Sequence, residues 1–233
     1  MTRALRWAGC ENVRDLGGVP IAGGGKTKPG AFVRADNVAM LSREGWQSLV
    51  DHGVTRIVDL RWAEELTHDP PRDVEVDVVH ISLLGTLDPT MRDEIEDYLP
   101  DNVAGYRAQQ YDAFLERYRA EFGRVFAALA EPTDGAVLFH CAAGKDRTGL
   151  IAALLLRLAG VSVEDAAADY ALSEEAVIRL FGDGADDYGL FLLRTPADAM
   201  ARTLEGLDVP GYLRSAGVSD EQLDELRSRL AAA

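Results

Sequence analysis

The chain has 233 residues, of which 47% are hydrophobic, with a formal charge of −15 at pH 7 and a pI near 4.6. That apolar content is enough for a sizeable core and excludes a disordered chain, and the length suits one α/β domain. The acidity argues against a nucleic-acid partner and against electrostatic docking on an anionic membrane. It leaves room for an anionic substrate wherever the local field is positive.

From the N-terminus, no apolar leader follows Met1-Thr2-Arg3, and no stretch approaches the length of a membrane span. A soluble, cytoplasmic protein without stable membrane insertion is expected. Ile21 to Gly30, with three consecutive glycines and Pro29, reads as a turn-rich, hairpin-like entry. Ser42 is placed to cap a helix that runs to His52 and is closed by Gly53. Val54–Leu60 and Val74–Ile81 read as strands. Glu94 to Leu129 has a helical pattern broken near Pro100 to Asn102, and Ala136–Phe139 is a short buried strand behind the turn Thr133-Asp134-Gly135. Leu150 to Leu158 reads as a helix that stops at Gly160. A helix capped at Ser162 and another near Ser173 follow. Thr195-Pro196 reads as a helix start with proline at its first position, and Ser219-Asp220-Glu221-Gln222 as a capping box. Strands separated by helices predict an α/β fold with a central, mostly parallel sheet covered on both faces.

Between the Ala136–Phe139 strand and the Leu150 helix lies His140-Cys141-Ala142-Ala143-Gly144-Lys145-Asp146-Arg147-Thr148-Gly149. A loop joining the C-terminal end of a strand to a helix N-terminus presents unpaired amides and the positive end of a dipole to an anion. A thiol there has its pKa lowered, so Cys141 suits attack on phosphorus through its thiolate to give a phosphocysteine. Arg147 offers a planar fork matched to two phosphate oxygens. Ala142, Ala143, Gly144, Lys145, Asp146 and Arg147 would form the phosphate-binding loop, with Gly144 removing a Cβ where the backbone must curl. His140 is expected to orient the loop, and Thr148 to donate a hydrogen bond to the sulfur. Only three of the 24 basic residues are lysine, so a lysine inside this loop runs against the chain's own bias. A compact ammonium at Lys145 suits additional anionic charge on the substrate.

Protonating the leaving oxygen requires a carboxylic acid opposite the sulfur. Asp88, in Gly85-Thr86-Leu87-Asp88-Pro89, and Asp146, in the loop itself, are the two candidates. Asp before Pro is also an ordinary N-cap. The flanking cations would hold Asp146 ionised, which suits an orienting role better than proton donation. Cys10 reads as a small core residue, with a resolving thiol as the alternative. Tyr106, Tyr111 or Tyr188 could stack on a substrate ring, while the other aromatic residues pack the core. His52, His68 and His80 lack metal-ligand spacing, so neither a metal nor a cofactor is expected. The expected partner is the phosphorylated substrate alone. A rhodanese-like sulfurtransferase and a non-catalytic phosphate-binding module are the competing classes.

The loop resembles the Cys-x5-Arg signature of the protein tyrosine phosphatase superfamily, and its Gly-Lys-Asp-Arg-Thr-Gly ending resembles the atypical bacterial tyrosine phosphatases of the PtpB/LipA type. Asn12-Val13-Arg14-Asp15-Leu16-Gly17-Gly18, Phe32-Val33-Arg34-Ala35-Asp36, Val54 to Arg61, Asp169-Tyr170-Ala171-Leu172-Ser173 and Gly211-Tyr212-Leu213 are similar to further family stretches in the same order. The resemblance implies a protein-tyrosine-phosphatase-like fold over residues 1–233, one phosphatase domain with helical segments able to serve as a lid. It also implies metal-independent, dual-specificity activity on phosphotyrosine or phosphoinositide. A small phosphorylated metabolite, such as a nucleotide-like or sugar phosphate, is the alternative substrate. Arg14, Asp15, Asp36 and Arg61 fall where the family clusters polar residues, and an Arg–Asp brace behind the loop is expected from them. Asp88 departs from the family's spacing by a residue or two.

Overall fold

The computed structural model of the chain describes residues 3–68, 75–86, 103–183 and 193–231. Its five-stranded sheet has the order β1-β2-β5-β3-β4, from Arg14–Asp15 (β1), Phe32–Ala35 (β2), Val54–Asp59 (β3), Asp77–His80 (β4) and Ala136–His140 (β5). Only β1 runs antiparallel to its neighbour; the other pairings are parallel. The mostly parallel sheet expected from the alternation of strands and helices is present.

Side-chain alternation along the strands divides the core between the two sheet faces. Phe32, Val58, Val137 and Phe139 face one apolar cluster, while Val33, Ile57 and Leu138 face the other. The larger cluster lies beneath the helices α3 (Val103–Arg117), α4 (Arg119–Ala130), α5 (Asp146–Leu158) and α6 (Val163–Ala171). The smaller is closed by Trp7, Cys10, Leu41 and Leu49 from the N-terminal segment and α1 (Arg43–Asp51). Strand β5, buried along its whole length, sits in the middle of the sheet. The edge strand β4 is largely exposed and shorter than the Val74–Ile81 run, of which residue 74 lies outside the described residues.

Local chemistry accounts for most helix ends. Ser42 accepts from the Gly45 amide to start α1, Ser162 accepts from Asp165 to start α6, and Ser219 and Gln222 form the capping box of α10 (Asp220–Leu230). The short helices α2 (Ala63–His68), α7 (Ser173–Phe181), α8 (Ala197–Leu204) and α9 (Val209–Ser215) complete the order.

Three local expectations are corrected. The Leu150 helix begins four residues earlier, at Asp146, so Asp146, Arg147 and Thr148 form its first turn. Pro196 is the N-cap of α8 rather than its first residue, because Thr195 Oγ1 donates to the Ala171 carbonyl and pins the approach to the helix. The long helical run divides at Tyr118, which leaves helical geometry with φ −109° and ψ 28°. The break expected at Pro100 to Asn102 lies outside the described residues.

Candidate active site

Parallel pairing aligns the C-terminal ends of the three central strands. Ala35 and Asp59 both stand opposite His140 in the register, so Asp36, Leu60 and Cys141 are the first residues beyond the sheet on adjacent strands. This is the edge at which open α/β sheets bind ligands. Cys141 is 2% exposed, at the base of the loop.

The loop is shaped by what holds its carbonyls. His140 O accepts from the Leu60 amide, Cys141 O faces His140 Nδ1 at 3.1 Å, and Ala142 O accepts from the Asn37 amide at 3.0 Å. Asn12 Nδ2 donates to Ala143 O at 3.0 Å and to Gly144 O at 3.2 Å, and Arg34 Nη2 donates to Gly144 O at 2.7 Å. A trans peptide places its N–H opposite its carbonyl. Anchoring the carbonyls of residues 142–144 from outside therefore disposes the amides of residues 143–145 to face the other way, as an anion-binding nest requires. Gly144 makes the curl with φ +65°, and a Cβ there would lie 2.6 Å from Ala35 O. Lys145 occupies the N-cap of α5 without a side-chain cap, leaving the helix's positive end open to a ligand.

The anchors are themselves fixed by a buried charge cluster. Arg34, fully buried, donates to Asp169 Oδ2 at 2.6 Å, Arg14 donates to both oxygens of Asp169 and to Asn12 Oδ1, and Arg3 also pairs with Asp169. The expected Arg–Asp brace exists, but its carboxylate is Asp169. Asp15 instead accepts the Gly17 and Gly30 amides, Asp36 accepts those of Glu11 and Asn12, and Arg61 forks onto Asp59. His140 is buried with Nε2 3.7 Å from Asp59 Oδ2; burial lowers its pKa against the pull of Asp59.

Arg147 leaves the first turn of α5 and meets two residues that the sequence reading did not single out. Glu65 of α2 takes both terminal nitrogens, with Nη1 to Oε2 at 2.5 Å and Nη2 to Oε1 at 3.0 Å. The Trp62 ring lies 4.3 Å from the guanidinium carbon. Trp62 is therefore not simply a core residue. Burial alone would lower the Arg147 pKa, but Cys141 and Glu65 outweigh it and raise it. The available signal for Glu65 was an acidic residue in a first helical turn just beyond a strand end that faces the loop.

Lys145 and Asp146 form a second charged group. Lys145 is 4% exposed, its Nζ 3.4 Å from Asp146 Oδ2, and burial pushes its pKa down to about 8. The Tyr111 hydroxyl donates to Asp146 Oδ1 at 2.5 Å, and Arg107 Nη1 lies 3.7 Å from the same oxygen. Burial works to raise the Asp146 pKa, but Lys145 and Arg107 overcome it and lower it. Tyr111 is fully buried, with its hydroxyl 2.6 Å from that of Tyr170, so it cannot stack on a substrate. Asp88, the side chain of Tyr106, and Tyr188 lie outside the described residues.

One expectation about the loop is modified, and the reading of Cys10 as a core residue holds. Thr148 Oγ1 is buried without a partner among the described residues, so it makes no bond to the Cys141 sulfur in this state. Cys10 packs in the smaller core cluster, away from the one that contains Cys141; its thiol donates to Asn37 O, and burial followed by Asp36 pushes its pKa far up. It is an inert core thiol. Among the described residues no three His, Cys, Asp or Glu side chains gather as a metal site would need, and no helix is long and apolar enough to cross a membrane.

The model of a family described as the tyrosine phosphatase family matches residues 5–232. A protein named tyrosine-protein phosphatase from Nostoc commune is 34% identical over 227 residues, covering 87% of this chain and 75% of that protein. Triple specificity protein phosphatase PtpB of Mycobacterium tuberculosis is 26% identical, covering 95% of this chain and 97% of that protein. Among solved structures, TpbA of P. aeruginosa in complex with pTyr is similar at 17% identity, covering 81% of this chain and 87% of its own, with a TM-score of 0.38. A buried cysteine at the base of a strand-to-helix loop, with Arg147 in the first turn of the helix that follows, agrees with this family match, which leaves the sulfurtransferase and non-catalytic classes without support. The chain belongs to the tyrosine phosphatase family and is a phosphatase.

Proposed function

We propose that the chain hydrolyses phosphomonoesters through a phosphocysteine on Cys141, with the amides of Ala142, Ala143, Gly144 and Lys145 and the side chain of Arg147 holding the phosphoryl oxygens. The observation that carries this reading is the set of outside anchors on the loop's carbonyls, which leaves the facing amides to a tetrahedral anion. In the first step the Cys141 thiolate attacks phosphorus, and the ester oxygen leaves with a proton from a carboxylic acid. In the second, water gives a proton to that carboxylate and attacks the phosphocysteine, the S–P bond breaks to return the Cys141 thiolate, and inorganic phosphate departs. Because the amides and Arg147 are preorganised, charge developing on the equatorial oxygens is stabilised with little reorganisation.

Asp146 serves this scheme as a fixed anion between Lys145 and Arg107, not as the proton donor, since its cationic neighbours and the Tyr111 hydroxyl stabilise the carboxylate. The acid is assigned to Asp88 on the sequence argument. Residues 1–233 act as one phosphatase domain, as the span of the family match supports. Phosphotyrosine and phosphoinositide are the favoured substrates. The ammonium of Lys145 and the guanidinium of Arg107, which lie with Asp146 beside the loop, support substrates that carry a second anionic group.

The test is Cys141→Ser. It should retain inorganic phosphate binding and lose roughly 1,000-fold or more of turnover, because a serine hydroxyl has no base to activate it. Turnover within about tenfold of the parent would refute covalent thiolate catalysis. Parallel assays on a phosphotyrosyl peptide, a phosphoinositide and sugar phosphates rank the substrate classes.

A further inference from the structure

We infer that a second ligand site, for a small organic acid with an apolar body and one carboxylate, lies behind the active-site loop and is coupled to it. A cavity of about 410 Å³ opens between the N-terminal segment and α7, within the size range of small-molecule pockets. Cys141, Lys145 and Arg147 take no part in it; its lining comes from residues 3–14 and 172–179. Arg3 and Arg14 supply its positive wall. Arg14 is 4% exposed, and Arg3 is held beside β1 because the Asp15 amide donates to Arg3 O at 2.9 Å. Both guanidinium groups converge with that of Arg34 on the one carboxylate of Asp169. Three guanidinium groups on one carboxylate leave positive charge unmatched inside a chain whose formal charge is −15. The crowding is felt: burial, and then the neighbouring Arg14, push the Arg34 pKa down to about 10.

The rim and the opposite wall narrow the ligand class. Glu11 and Glu175 would repel an anion, but both turn to Arg179, whose Nε donates to Glu11 Oε2 at 3.0 Å and whose Nη1 lies 3.9 Å from Glu175 Oε2. With this rim included, four arginines meet three carboxylates, a surplus that one further carboxylate neutralises and a phosphate dianion exceeds. The apolar wall is Val13, Ala176 and Leu172, the last 61% exposed. An uncovered leucine at the mouth of a cavity gives an apolar body surface to bury. Two of the lining residues also hold the loop. Asn12 Nδ2 donates to the Ala143 and Gly144 carbonyls, and Arg14 Nη1 donates to Asn12 Oδ1 at 2.7 Å, which orients the amide for that task. A carboxylate on Arg3 and Arg14 relieves the crowded guanidinium groups and so stabilises the arrangement in which Asn12 grips the loop. Occupancy therefore favours phosphate binding at the front of the loop, and phosphate favours occupancy by the same factor.

The probe is 2-naphthoate, with the uncharged 2-naphthamide as its control. Naphthoate should bind the parent protein and raise its Tm with concentration, while naphthamide should bind at least about tenfold more weakly. Leu172→Glu sets a like charge at the mouth and should abolish naphthoate binding with an unchanged urea midpoint. Arg3→Gln removes one charged donor and should weaken binding by about tenfold. Arg147→Ala, on the catalytic side, should bind naphthoate as the parent does. At saturating naphthoate the dissociation constant for inorganic phosphate should fall roughly fivefold, the lower end of ordinary coupling between sites. Equal binding of acid and amide, or unaltered binding in Leu172→Glu, overturns the site. Competition between naphthoate and phosphate, or loss of naphthoate binding in Arg147→Ala, puts the probe in the catalytic loop and overturns the site as well. An unchanged phosphate affinity at saturating naphthoate overturns the coupling.

Discussion

Asp169→Asn should be the most destabilising single-atom change behind the loop. The carboxylate is 2% exposed at the residue level and faces three arginines. Its Oδ2 accepts from Arg34 Nη1 at 2.6 Å and from Arg14 Nη2 at 3.2 Å, while Oδ1 accepts from Arg14 Nε at 3.1 Å and from Arg3. An asparagine amide placed either way sets its NH₂ against a guanidinium donor, and Arg34 has no solvent to turn to. Removing one partner of a buried ion pair costs about 3–5 kcal/mol. Arg14 and Arg34 keep Asn12 Oδ1, Gly144 O and the Ser173 hydroxyl, so the lower end, about 3 kcal/mol, is expected. For a chain of this size that is a fall of roughly 6–12 °C in Tm.

The pH dependence of this loss is fixed in sign. Burial pushes the Asp169 pKa up, but Arg14, Arg34 and Arg3 outweigh it and hold it well below the ordinary carboxylate value. A depressed folded-state pKa contributes stability that is complete above the unfolded value of about 3.9 and disappears as pH falls through the folded one. Urea unfolding followed by tryptophan fluorescence should therefore show a constant gap between parent and variant from about pH 5 to 8, narrowing only in stronger acid. The variant's kcat/KM should also fall, because Arg34 anchors Gly144 O. A loss below about 1 kcal/mol, with unchanged kcat/KM, would refute the brace.

The loop was legible because its chemistry is local. His140 to Thr148 are contiguous, and a strand before them and a helix after them are both written in apolar periodicity. Gly144 was readable for the same reason, since a left-handed turn has few alternatives to glycine. The residues that complete the site are separated in sequence. Glu65 meets Arg147 across 82 residues and Asp169 meets Arg34 across 135, and nothing in either segment alone names its partner. The brace was anticipated as a type, from arginines and aspartates beside the loop, but Asp15 and Asp36 were each taken by backbone amides. Tyr111 looked available as an aromatic platform, whereas it is fully buried, edge-on to the Tyr170 ring, with its hydroxyl on Asp146. Helix starts followed the same rule. Serine caps acting over three residues were readable, but Pro196 gave way to the pairing of Thr195 with the distant Ala171 carbonyl.

Two further outcomes follow from the charges around the loop. Burial pushes the Lys145 pKa down to about 8, so its charge is present below that value and lost as pH rises through it. The preference for a doubly anionic substrate over a singly anionic one should shrink above about pH 8 in the parent. In Lys145→Met it should be small and independent of pH, and an undiminished preference in that variant would place the second-anion contact elsewhere. Asp146 can be separated from the general acid by leaving-group chemistry. A proton donor matters when the departing oxygen is basic and matters little for p-nitrophenolate. Since Tyr111, Lys145 and Arg107 stabilise the Asp146 carboxylate, Asp146→Asn should slow p-nitrophenyl phosphate and an alkyl phosphate by similar factors and keep the basic limb of the pH–rate profile. Asp88→Asn should slow the alkyl phosphate selectively and flatten that limb. If the selective loss appeared at Asp146 instead, the carboxylate would have to be protonated against two neighbouring cations, and the electrostatic account of the loop would fail.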